Sequence, residues 1–215
     1  KQNHRQVWRL SLDNIIPAFS KPIAYQLLKL SDIHYQNIDK AFDESNIEYI
    51  NYNDGKEKEY GISKDLHVLN NPVLKDFKEI ILNKIKTYWN DDLQLDCKFN
   101  LTTSWFTHLN NNSKGDWHNH SNSYLSGVFY FGDYFSEIKF RDFTPTLYGF
   151  KRTEYNLYNS TEWVMQPEKG LLVLFPSTLY HSILPSKESR KSMAFNIIPV
   201  GEYGDGDSKV NIKYE

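Results

Sequence analysis

The chain has 215 residues, with Lys+Arg 25 against Asp+Glu 27 and a formal net charge of -2, a balance that excludes a general nucleic-acid or anionic-membrane surface. That length suits one substantial core, and the single cysteine, Cys97, excludes an internal disulfide framework or a thiolate metal cluster. No apolar run approaches bilayer-spanning length and the polar start KQNHRQ has no signal-peptide apolar region, so the expected setting is a soluble, cytoplasmic protein with no membrane partner.

Along the chain, Val7 to Ile15 reads as an early strand, and Pro17 and Pro22 punctuate the residues after it. Ile23, Leu27, Leu28, Leu30, Ile33, Ile38 and Phe42 recur at spacings that predict one amphipathic helix or two short ones. The polar, turn-rich run ESNIEYINYNDGKEKEYGISKD predicts a surface excursion. A clearer helix begins at Asn71 and Pro72, with Leu74, Phe77, Ile81, Ile85 and Tyr88 on the face expected to pack against a sheet.

After Asn90 the pattern changes to strands. CKFNLTTSWFTHL, YLSGVFYFG, EIKFRDF, TEWVMQP, GLLVLFP, LYHSIL and SMAFNIIPV are successive candidates separated by turn-forming residues. Gly127 is expected to serve close packing and Gly170 a turn. The fold class is therefore mainly β with N-terminal helices, the second half suiting a double-stranded β-helix, or jelly roll. One domain is expected over residues 1–215. It divides into a helix-rich supporting part over about 1–96, a jelly-roll core over about 97–200 and a polar tail over 201–215 with a possible short edge strand.

Chemistry concentrates in the strand half. WHNH places His118 and His120 two positions apart, after the polar loop NNNSKGDW, and His181 waits in FPSTLYHS. Residues i and i+2 of a strand share a face, so neighbouring strands could bring the three imidazoles to one metal ion. Taken alone, a histidine pair can equally satisfy buried backbone groups or face solvent, and a core histidine can be held by hydrogen bonds through both nitrogens. In SRKSMAFNIIP, Arg190 and Ser192 share one face, with Met193 and Phe195 on the other. An inward arginine costs several kcal/mol unless an anion pairs with it, so an inward Arg190 asks for a carboxylate ligand; a surface arginine is the plainer alternative.

These segments together resemble the iron(II)/2-oxoglutarate-dependent oxygenase superfamily, in particular its uncharacterised bacterial and phage branch. The resemblance runs over most of Trp105 to Pro199 and rests on HNH before NSYLSGVFYF and on LVLFPSTLYHSILPS leading into SRKSMAFN. It implies a jelly-roll enzyme with His118, His120 and His181 as catalytic metal ligands, and Arg190 with Ser192 as the grip on the distal carboxylate of 2-oxoglutarate. The implied cofactor is Fe(II), and the cosubstrates are 2-oxoglutarate and O2. The implied reaction is hydroxylation of an amino-acid, peptide or other small-molecule substrate, with release of succinate and CO2, in a bacterial cytoplasm or, for a phage protein, that of its host. The usual facial set is two histidines and one carboxylate, and His120 stands where the carboxylate is expected. Asp116 is the alternative ligand, since Asp116, His118 and His120 alternate along one face; His120 is favoured because it lies closer to the SGVFYF strand.

Tyr124 and Asn196 are secondary candidates for the cosubstrate pocket, against packing and backbone-bracing roles. Trp105 is expected to pack, Trp117 is open between packing and the cavity mouth, and His4, His34, His67 and His108 carry no ligand geometry. Two other classes compete. One is a cupin-like enzyme with three histidines and no 2-oxoglutarate; the other is a non-enzymatic jelly roll that binds sugar or protein or builds a virion.

Overall fold

A computed structural model describes residues 21–50, 60–143, 151, 153–156, 158–185 and 187–214. The expected strand over Val7 to Ile15 lies outside them, as do residues 55–59 of the charged GKEKEYG segment.

In chain order the elements are β1 (Ala24–Leu27), α1 (Asp32–Asp43), β2 (Ile47–Ile50), β3 (Tyr60–Ser63), α2 (Lys75–Lys86), β4 (Lys98–Leu109), β5 (Gly115–His118) and β6 (Leu125–Tyr130). Next come β7 (Ile138–Arg141), β8 (Glu162–Met165), β9 (Leu171–Pro176), β10 (Tyr180–Ile183), β11 (Arg190–Tyr203) and β12 (Val210–Ile212). Among the described residues these strands build two sheets. The larger runs β1-β9-β6-β11-β4-β3-β2, with β12 against the end of β11, and the smaller runs β5-β10-β7-β8. All of the strand pairs are antiparallel. This is the two-sheet, jelly-roll arrangement expected from the strand-rich half.

Period-two alternation sorts the central strands between two cores. On β6, β11 and β4, Phe129, Met193, Phe195, Ile197 and Phe106 face the helices and bury against Ile38, Phe42, Phe77, Ile81 and Ile85. Phe77 meets Phe129 with ring centroids 4.8 Å apart. On the opposite face, Val128, Tyr130, Val173 and Phe175 meet Ile138 and Phe140 of the smaller sheet. Gly127 lies where β6, β9 and β11 run side by side. A Cβ there would collide with the Phe195 ring and come within 2.9 Å of Leu174, so the strand needs a residue without a side chain. Gly170 takes φ +89 in the turn before β9, as a turn glycine should.

The second predicted helix is real but compound. Asn71 caps a short 3-10 turn through its side chain, with Pro72 in the first position; α2 comes next, and a π-helical turn over Thr87–Asp92 ends it. Leu74, Phe77, Ile81, Ile85 and Tyr88 are all buried, as their spacing predicts. The expected helix over Ile23 to Phe42 is partly corrected: only Asp32–Asp43 is helical, while Ala24–Leu27 forms an edge strand on β9. Pro22 precedes it, and pairing with Leu171–Leu174 outweighs an ambiguous local pattern. The polar run read as a surface excursion contributes β2 and β3, which extend the larger sheet beyond β4. The tail gives the short strand β12 on β11.

Candidate metal and cosubstrate site

His118 ends β5 and His181 lies in β10, and the two are direct cross-strand partners with ring centroids 4.2 Å apart. His120 lies two residues past β5, where its backbone N–H donates to Ser177 O (2.8 Å) in the turn between β9 and β10. The turn that carries β9 into β10 thus seats both His181 and the loop of His120. One ligand nitrogen from each of the three rings lies within 4.8 Å of the others, a grouping that could hold a metal ion.

Backbone carbonyls set the tautomers. His118 Nδ1 donates to Asp116 O (2.8 Å), and His181 Nδ1 donates to Leu179 O (3.0 Å), each two residues earlier in the chain. Both rings therefore keep Nε2 as the lone-pair nitrogen, the orientation that outer hydrogen bonds give to metal-binding imidazoles. Burial, reinforced by His118, pushes the pKa of His181 down to about 3. Burial and then His118 also lower that of His120 to about 4, with a hydrogen bond to the Asn196 side chain working in the opposite direction. At neutral pH His120 and His181 are thus neutral, the form that ligates.

The donor set contains no carboxylate. Asp116 turns its side chain to Lys114 (3.2 Å), 47% exposed, and offers the site only its carbonyl oxygen. The alternative ligand Asp116 thus lies outside the grouped donors: although it shares strand parity with His118, its carboxylate pairs with a lysine two residues earlier in solvent.

The cavity beside the histidines is bordered by Trp105, Thr107, Ser126, Val128, Phe175, Arg190 and Ser192. Arg190 is 1% exposed, and its Nε and Nη1 have no hydrogen-bond partner. Its guanidinium lies 4.9 Å from the Tyr130 ring centroid, and the Tyr130 hydroxyl is likewise buried without a partner. Burial raises the pKa of Tyr130, although Arg190 acts against the rise. Ser192 Oγ is 2.8 Å from Thr107 Oγ1. A buried cation with two idle donors fits a carboxylate that would pair with it.

The secondary candidates part company. Tyr124 is 49% exposed, packs edge-to-face on Trp89 at 5.2 Å and does not border the cavity. Its backbone N–H donates to Ile197 O (2.9 Å) just before β6. Asn196 is buried, does not border the cavity, and spends its side chain on Ser126 Oγ (2.8 Å) and Thr103 Oγ1 (3.3 Å). Trp105 both packs and borders the cavity, its ring near-parallel to that of His120 (20°). Trp117 stacks under Arg141 at 4.5 Å. His108 bonds Tyr49 on the helix side, and His34 caps α1 beside Ser31. Tyr130 escaped the sequence reading, although its parity with Ser126 and Val128 placed it on the cavity face. A wider surface hollow lined by Asn90, Cys97, Lys98 and Glu202 lies apart and contains no histidine.

Residues 103–196 match the family model described as "Putative 2OG-Fe(II) oxygenase", a span that holds all three histidines, Arg190 and Ser192. Over that span the chain matches the 2-oxoglutarate and iron(II)-dependent oxygenases. As such an oxygenase it is a non-haem iron enzyme whose cofactor is Fe(II) and whose cosubstrates are 2-oxoglutarate and O2. No curated protein matches the oxygenase by sequence.

Solved structures share its fold at low identity. The carbocyclase SnoK from nogalamycin biosynthesis, non-heme and alpha-ketoglutarate-dependent, is 9% identical, with TM-score 0.61 over 87% of this chain and 84% of that one. A Pseudomonas putida prolyl-4-hydroxylase is 15% identical, with TM-score 0.55 over 82% and 93%. HygX from Streptomyces hygroscopicus, solved with nickel, 2-oxoglutarate and hygromycin B bound, is 9% identical, with TM-score 0.55 over 83% of each chain. The match over residues 103–196 favours the oxygenase over the non-enzymatic jelly roll and the cupin-like enzyme without 2-oxoglutarate.

Proposed function

We propose that this oxygenase hydroxylates an amino-acid, peptide or other small-molecule substrate, using His118, His120 and His181 to hold Fe(II), and Arg190 with Ser192 and Tyr130 to hold 2-oxoglutarate. The observation that carries the reading is the buried Arg190, with two unpaired nitrogens on the same cavity as three convergent imidazoles. The bound iron and 2-oxoglutarate supply oxygen activation coupled to oxidative decarboxylation, which yields succinate and CO2.

The protein's own part is placement. His118 and His181 offer single-tautomer nitrogens from paired strands, and His120 approaches from the loop beyond. Arg190 aims its free donors at an incoming carboxylate, and the Tyr130 hydroxyl can add a further hydrogen bond without another charge. Val128, Ile138 and Phe175 line the space between and exclude water, which strengthens each polar contact inside. The reading places the enzyme in the cytoplasm, where Cys97 stays a free thiol. Support for the substrate class comes from the fold shared with a prolyl-4-hydroxylase and with a protein solved with hygromycin B.

Anaerobic addition of 2-oxoglutarate to the Fe(II)-loaded protein should change the visible absorption of the iron. Under oxygen, proline peptides, free amino acids and aminoglycosides are then screened by mass spectrometry for gain of one oxygen atom and for stoichiometric succinate. Arg190→Ala should weaken 2-oxoglutarate binding while retaining metal, and His181→Ala should lose both. An iron spectrum indifferent to 2-oxoglutarate in the wild-type protein defeats the proposal.

A further inference from the structure

Ser192 of β11 and Thr107 of β4 are direct cross-strand partners in the larger sheet, and both border the cavity. They are buried, at 1% and 3% exposure. Thr107 Oγ1 lies 2.8 Å from Ser192 Oγ and also donates to the Ser192 carbonyl oxygen at 3.3 Å. Arg190, two positions before Ser192 and so on the same strand face, borders the same cavity with its Nε and Nη1 unpartnered.

Each hydroxyl has one proton to give and two lone pairs to receive with, so two proton arrangements fit these distances. In the first, Thr107 donates to the Ser192 carbonyl and receives the Ser192 proton, which leaves Ser192 only lone pairs to offer the cavity. In the second, Thr107 donates across the 2.8 Å contact to Ser192 Oγ, and the Ser192 proton is free to point into the cavity. Passing from the first to the second gives up only the longer bond, at 3.3 Å. A carboxylate accepts and never donates, so beside Arg190 it selects the second arrangement. There the Thr107 bond occupies one Ser192 lone pair and polarises the serine hydroxyl toward the anion.

We propose that Thr107 is a positioning residue of the cosubstrate pocket: acting through Ser192, it commits that hydroxyl to donate to a second carboxylate and so sharpens the preference for a 2-oxo acid that carries one. This rests on the reading of Arg190 and Ser192 as the grip on 2-oxoglutarate. It brings β4 into a grip otherwise built from β11 and β6.

The test is anaerobic calorimetric titration of the Co(II)-loaded full chain with 2-oxoglutarate and with 2-oxopentanoate, which has the same carbon chain but no second carboxylate; the weaker ligand is read by displacement. The comparison covers wild type, Thr107→Val, Thr107→Ser, Ser192→Ala and the double variant Ser192→Ala/Thr107→Val. Thr107→Val keeps the shape and removes the hydroxyl, and is expected to weaken 2-oxoglutarate by about 3- to 10-fold while leaving 2-oxopentanoate unchanged. Thr107→Ser should retain the wild-type preference. In the Ser192→Ala background Thr107→Val should cost nothing more, the signature of a residue that acts through another. Thr107→Ala carries the test if Thr107→Val does not fold. A wild-type ratio of the two affinities in the variant without the hydroxyl, whether from no loss or from an equal loss for both ligands, overturns the assignment while the 2-oxoglutarate reading stands. Wild-type protein that binds 2-oxoglutarate no more tightly than 2-oxopentanoate overturns that reading, and the assignment with it.

Discussion

At the residue scale, Arg190 is a costly side chain for the fold to bury. It is 1% exposed, two of its guanidinium nitrogens are unpaired, and its nearest aromatic neighbour is the equally unpartnered Tyr130. Desolvation of an unpaired cation costs several kcal/mol, so the fold keeps the charge at the expense of its own stability. Arg190→Met should therefore leave the ligand-free protein as stable as wild type or more stable, by up to about 1–4 kcal/mol in urea denaturation. The same variant should bind 2-oxoglutarate at least about 30-fold more weakly in an anaerobic titration, since a buried charge partner is lost. A variant both less stable and unimpaired in binding would show that Arg190 is a packing residue.

At the element scale, the smaller sheet holds its outer strands partly by charge. Glu162 of β8 receives Arg141 Nε (2.6 Å) and pairs with Lys139, both on neighbouring β7, while Arg141 also covers Trp117 of β5. Burial of Glu162 works against ionisation, but the hydrogen bonds from Lys139 and Arg141 outweigh it and hold the carboxyl below its ordinary value of 4.5. A depressed folded-state pKa adds stability that is fully present above the unfolded value and lost as pH falls through the folded one. Urea denaturation of Glu162→Gln beside wild type should thus show a deficit of about 0.5–1 kcal/mol at pH 7 that vanishes in acid. A deficit that persists unchanged in acid would assign the effect to shape rather than charge. This strap matters for the site because β7 pairs with β10, and β10 carries His181.

At the scale of the whole molecule, the metal site joins segments that the chain keeps far apart. Ligation by all three histidines would tie the β5 loop to β10, and a dicarboxylate between the metal and Arg190 would tie both to β11. A ligand that binds only the folded state stabilises it by mass action, about 2.7 kcal/mol at 100 times its Kd. Co(II) with 2-oxoglutarate should accordingly raise the melting temperature of the full chain by roughly 5–10 °C, while His181→Ala should not respond. An equal rise in both proteins would locate the stabilising metal elsewhere. Among the described residues, no helix is long and apolar enough to cross a membrane.

Much of this was local enough to be read from the chain. The period of α2, the strand runs after Asn90, the WHNH pair with a later histidine, and the shared parity of Arg190 and Ser192 all depend on neighbours within a few positions. What depended on register between distant strands was not legible. Pairing of β10 with β5 set His181 opposite His118, the turn at Ser177 fixed where His120 lies, and Lys114 drew Asp116 outward. The bulge in β11 at Asn196 and the neighbouring β6 likewise decided that Asn196 meets Ser126, and that Tyr130 rather than Tyr124 shares the space of Arg190. Composition and periodicity specify which face a side chain takes; only the packed sheets specify what stands across from it.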